Sequence, residues 1–143
     1  MKQIRLNIAL LAIALLAALP PSAPTQAAEA APVSVPASRI AIWQAIDQRM
    51  ATLAKLIQAG TLGEVHHHAF AIRDLTAALL THENKLTPDQ SKQFASQAKF
   101  VAILAERLDA SGDSSDRAGA AANYSKLTRV LDTLRGAPAA SIK

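Results

Sequence analysis

The chain has 143 residues, half of them apolar but only 3 % aromatic, and it contains no cysteine. Alanine and leucine supply most of the apolar count, which favours helix over strand, and the missing thiols exclude a disulfide framework, thiolate metal sites, covalent c-type haem and a cysteine nucleophile. The formal charge is +4, with the basic residues spread singly along the chain, which excludes a nucleic-acid-binding footprint.

Residues 1–27 read as a cleavable signal peptide. Lys2 and Arg5 form a positive start, Leu6 to Leu19 an apolar run interrupted by Asn7, and Pro20, Pro21 and Pro24 stop the helix. Thr25-Gln26-Ala27 then offers small residues at the cleavage positions. Cleavage is expected after Ala27, with Ala28 and Ala30 as alternatives. As a helix the apolar run spans ~21 Å, short of the ~30 Å hydrocarbon core of a bilayer. The protein is therefore expected in the periplasm or outside the cell, without stable membrane insertion after cleavage. Without the two leader cations, 13 basic residues face 11 acidic ones, which is close to balance.

Residues 28–36 (AEAAPVSVP) read as a flexible linker of small residues and prolines. From 37 to 136 the spacing predicts an all-α domain, an antiparallel up-down four-helix bundle. Helix 1 spans about 37–59, with Trp43, Ile46, Met50, Leu53 and Ile57 on one stripe. Gly60 stops it. Thr61 and Glu64 form a capping-box pattern that opens helix 2, whose stripe is Val65, His68, Ile72, Leu75, Leu79 and His82. Asn84-Lys85-Leu86 is the connection. Thr87-Pro88-Asp89-Gln90 starts helix 3, with Thr as N-cap and Pro at the first helical position. Helix 3 buries Phe94, Ala98, Val101, Ala105 and Leu108 and is broken at Ser111-Gly112-Asp113. Helix 4 buries Ala120, Tyr124, Leu127, Leu131 and Leu134 and stops at Gly136. Residues 137–143 read as a disordered tail. A helix with one apolar stripe must bury it against others, and short turns make neighbours antiparallel. The stripes suit a closed monomer and a homodimer equally.

Gly60, Ile72, Leu75, Thr76 and Leu79 match Gly112, Tyr124, Leu127, Thr128 and Leu131 at an offset of 52. This pattern suggests two similar helical hairpins.

The most unusual local feature is Glu64-Val65-His66-His67-His68. Neutral imidazole is a common ligand for transition metals. Consecutive helical residues turn by ~100°, so three successive histidines fan over ~200° and cannot all reach one ion. His68 falls on the core stripe, while His66 and His67 look outward. The other hairpin turn brings Asp109, Asp113 and Asp116 to the same end of the bundle. A metal site of His66, His67, His68, Asp113 and Asp116 is the resulting expectation. His82 lies ~21 Å from His68 along the helix and cannot share an ion with it. No G-x-S-x-G, Gly-rich phosphate loop or H-E-x-x-H is present, so no enzyme is expected.

The four helices and Met50-Ala51-Thr52-Leu53 resemble soluble cytochrome b(562), a periplasmic haem bundle. That resemblance covers 37–136 and implies an up-down fold, with Met50 as one axial ligand of a haem used for electron transfer. The family's second ligand is a His near the end of helix 4, where this chain reads Arg129-Val130-Leu131-Asp132-Thr133-Leu134. Leu86-Thr87-Pro88-Asp89-Gln90 is similar to one copy of the L-T-x-x-Q motif of the periplasmic Spy/CpxP group. That likeness implies a chaperone-like or protein-interaction module with a periplasmic protein partner. Val65 to Leu80, Gly112-Asp113 and Asn123-Tyr124 resemble small exported proteins associated with heavy-metal efflux, which implies a divalent transition metal as ligand. The leading expectation is an exported, non-enzymatic accessory protein that binds or senses such a metal.

Overall fold

The computed structural model describes residues 33–82 and 86–136. The expected signal peptide, residues 83–85 of the α2–α3 connection and the tail 137–143 lie outside the described residues. The described residues form four α-helices: α1 (Arg39–Ala59), α2 (Val65–His82), α3 (Pro88–Asp113) and α4 (Arg117–Gly136). No strand occurs among the described residues. Each helix packs along the next in sequence, and α4 closes onto α1 along a thinner seam. This is the antiparallel up-down four-helix bundle that the stripes predict. No helix among the described residues is long and apolar enough to cross a membrane.

Local chemistry sets most helix ends. The Ser38 hydroxyl accepts the Ala41 N–H at 3.2 Å and starts α1. At the other end Gly60 adopts φ 75°, a left-handed conformation that glycine takes without strain. Thr61 N–H then reaches the Leu56 carbonyl (3.0 Å) and Gly60 N–H the Ile57 carbonyl (3.2 Å), the paired bonds of a Schellman stop. The α3 start follows its predicted Thr87 N-cap and completes it as a capping box. The Thr87 hydroxyl accepts from Gln90 N–H, and the Gln90 side-chain oxygen accepts from Thr87 N–H at 2.8 Å.

Two boundaries correct the sequence reading. Thr61 makes no side-chain cap; Leu62–Glu64 wind as a 3₁₀ turn, and α2 begins only at Val65. The reason is tertiary: Leu62 is drawn into the core, and Glu64 points toward His67 rather than back to Thr61. The second correction concerns Gly112, which does not break α3. The helix runs on to Asp113, and the chain reverses over 114–116, with Ser115 at φ 55°. Gly112 is instead a close-approach position. A Cβ there would sit 2.9 Å from the Leu62 carbonyl oxygen of the opposite turn. Gly60 and Gly112 therefore play different roles, although they match in the proposed duplication. Thr76 and Thr128 do behave alike, each hydroxyl donating to the carbonyl four residues back, at 2.7 and 3.1 Å.

The core holds Ile42, Ile46, Leu53, Ile72, Leu79, Leu108 and Leu127, all fully buried. It is wider than the predicted stripes. Ala69, Ala71, Thr76 and Leu104 are buried too, because α2 and α3 each pack against two neighbours. His68, His82, Ala98 and Tyr124, expected on the stripes, are only partly buried. Val33, in the expected linker, packs against the core.

Candidate metal site at the start of α2

The histidine cluster occupies the first turn of α2, where the 3₁₀ turn hands over to the α-helix. Gly63 is the last backbone carbonyl before Glu64, and it meets the first imidazole. His66 Nδ1 lies 3.0 Å from that carbonyl oxygen. A carbonyl only accepts, so Nδ1 carries the hydrogen and Nε2 keeps its lone pair. This tautomer is the one that metal-ligating histidines commonly hold, with the far nitrogen tied to a carbonyl or carboxylate. The exposed His67 ring lies against His66, with centroids 3.7 Å apart and planes tilted by 41°. Its Nε2 is 3.8 Å from the Glu64 carboxylate, which leaves Nδ1 facing away from the acid.

His68 belongs to a different environment. It turns inward toward α1, where Arg49 brings a guanidinium nitrogen to 3.5 Å from His68 Nδ1. Guanidinium only donates, so the His68 Nδ1 lone pair is already directed at Arg49. Burial pushes the His68 pKa below its ordinary value, and the charges of Arg49 and His67 add to that, with Glu64 opposing. A cation at His68 would face the same repulsion from Arg49. His68 is thus removed from the ligand set for a physical reason that the sequence did not carry.

The aspartates expected to join the histidines do not. The Asp116 carboxylate accepts the Gly119 N–H at 2.9 Å and serves as the N-terminal cap of α4. Asp113 is exposed at the end of α3. No three His, Asp or Glu side chains among the described residues gather to hold one metal ion. Of His66, His67, His68, Asp113 and Asp116, the structure brings together His66 and His67, with Glu64 beside them.

Met50, expected as a haem ligand from the sequence resemblance, is 9 % exposed. It lines a groove between α1 and α4 of about 120 Å³, opposite Tyr124, Thr128 and Leu131. Cofactor pockets run to roughly 300–1,000 Å³. With this volume, and no histidine across the groove, the residues around Met50 do not fit a haem. Trp43 is a core residue near the open end of the same seam. Arg135 stacks over its ring at 4.6 Å and also pairs with Asp47.

Two features went unread in the sequence. One is Arg117, whose guanidinium bonds the Ile57 and Gln58 carbonyls at the end of α1. The other is a cleft of about 380 Å³ between the first turns of α3 and the end of α4. Phe94 and Leu134 are among its apolar residues, and Gln90, Gln93 and Gln97 supply amides from one face of α3. Among the described residues no charged side chain lines it. The i, i+3, i+7 glutamine spacing was the available signal, but polar spacing of that kind also describes a solvated face.

No family model, no curated protein and no solved structure matches this chain.

Proposed function

We propose that this protein is an exported, non-enzymatic helical-bundle accessory protein that binds a divalent transition metal through His66 and His67. The observation that carries the reading is the bond from His66 Nδ1 to the Gly63 carbonyl. It fixes the tautomer and leaves Nε2 available as a ligand. The Glu64 carboxylate lies on the Nε2 side of His67, which makes Nδ1 the ligand atom of that ring. The bundle supplies a rigid platform, and the cluster sits on its outer side at a tight turn.

The test is thermal melting of the purified protein with Zn²⁺, Cu²⁺ and Ni²⁺. A metal that binds the folded state and not the unfolded one raises stability by mass action, about 2.7 kcal/mol at a hundredfold excess over Kd. The rise should vanish in His66→Ala and His67→Ala and survive in His68→Ala. Unchanged melting with every metal at millimolar concentration would remove the reading.

A specific observation favours a second reading, a protein-interaction module. Phe100 is 54 % exposed on α3, and Ile103, one turn on, is 43 % exposed. In a chain with only three phenylalanines, a half-exposed one in mid-helix suits a partner surface. Suppression of client aggregation that is independent of metal and lost in Phe100→Ser would favour this reading.

A further inference from the structure

We infer that the metal at His66 and His67 is shared between two copies of this chain, each copy contributing both imidazoles. The inference rests on the proposed metal-binding function and concerns how the site is completed. One copy offers two imidazole ligands. Asp116 is committed to the α4 cap, His68 faces Arg49, and no group of three ligating residues forms among the described residues. A zinc-like ion held structurally takes four ligands at about 2.0–2.1 Å for nitrogen. Twofold pairing is the commonest symmetry of protein assemblies, and it places the same patch of each copy opposite itself. Two copies related in this way supply four imidazoles.

Charge points the same way. Glu64 lies beside His67, with its side chain 62 % exposed. Without metal, two such patches would bring two carboxylates together and repel. A divalent cation between them balances both charges, so association depends on the metal. The Glu64 carboxylates then act as acceptors for the metal-bound His67 rings. The His67 side chain is 44 % exposed, so a second copy can reach it. To coordinate, the exposed His67 ring must turn away from its 3.7 Å contact with His66, which keeps its bond to the Gly63 carbonyl. That movement involves one surface rotamer and leaves the core packing unchanged.

The experiment is sedimentation of the purified protein with and without one equivalent of Zn²⁺, Cu²⁺ or Ni²⁺, with bound metal counted by elemental analysis. The expected result is a doubling of mass with metal, one ion per two chains, reversed by chelator. His66→Ala and His67→Ala should each stay monomeric, while His68→Ala should still dimerise. Glu64→Gln should weaken the metal-driven association severalfold. Binding of one ion per chain without a mass change would overturn this inference and leave the metal-binding function standing. A dimer that forms equally without metal would also overturn it. Absence of any bound metal would overturn both.

Discussion

Arg117 donates from its guanidinium Nε to the main-chain carbonyl of Ile57 at 2.9 Å, tying the first residue of α4 to the last turn of α1. A second guanidinium nitrogen bonds the Gln58 carbonyl next to it. The last carbonyls of a helix have no intrahelical partner and carry the negative end of its dipole, so a cation is well placed there. The contact also joins the two hairpins through residues sixty positions apart in the chain.

Replacement of Arg117 should therefore loosen the bundle at this end. Arg117→Ala is expected to lower stability by about 1.5 kcal/mol, the low end for hydrogen bonds to charged groups, because the site is partly exposed. Arg117→Lys should recover only part of it, since a single ammonium cannot fork to two carbonyls. Urea denaturation with unchanged m would measure the difference, and wild-type stability in Arg117→Ala would refute the clamp.

Gly112 tests the close approach of the two turns. An alanine in a helix interior normally gains about 1 kcal/mol over glycine, and less in the last turn where Gly112 lies. Here its Cβ would lie 2.9 Å from the Leu62 carbonyl oxygen, which is backbone and cannot swing away. Gly112→Ala should lower the melting temperature. Gly63→Ala, where a Cβ meets nothing within 4 Å, should leave it nearly unchanged. A rise in melting temperature for Gly112→Ala would show that the turns have room to separate.

Thr87 carries the start of α3. Both bonds of its capping box are made, so Thr87→Ala should cost about 1 kcal/mol, as N-cap removal generally does. Thr61→Ala should have little effect by the same measurement, because Thr61 makes no cap bond.

His68 should make stability depend on pH. Its folded pKa is depressed from 6.5 by burial first and then by the Arg49 and His67 charges. Below that ordinary value the unfolded chain takes up a proton that the folded chain resists, so the unfolded state is favoured. Stability should be full above pH 6.5 and should fall as pH drops below it, levelling once the folded imidazole also protonates. Denaturation midpoints measured between pH 5 and 8 should flatten in this window for His68→Gln. An unchanged slope in that variant would assign the pH dependence to another group.

Most of the architecture was legible in the chain because burial period and capping chemistry are local. The stripe from Trp43 to Ile57, the Gly60 stop and the Thr87 box each express a rule that operates within a few residues. The errors came where a distant segment decided the outcome. Thr61 and Glu64 have the spacing of a capping box, but Leu62 enters the core and tightens the backbone into a 3₁₀ turn. Gly112 looks like a helix stop and is a contact point for the other hairpin.

The candidate site divides in the same way. The sequence by itself determined that three successive histidines lie on a helix and that angular spacing keeps them from closing on one ion. It also determined the all-helical bundle, since apolar stripes of period 3.6 have to be buried against one another. Only the tertiary structure decided which imidazoles are engaged by neighbouring helices. Arg49 comes from α1, nineteen residues before His68, and takes that ring out of the set. Asp116 looked like a ligand from its place at the shared end of the bundle, but the first turn of α4 uses its carboxylate. Helical periodicity shows which way a side chain faces, while the charges and donors it meets come from helices whose approach is set by packing.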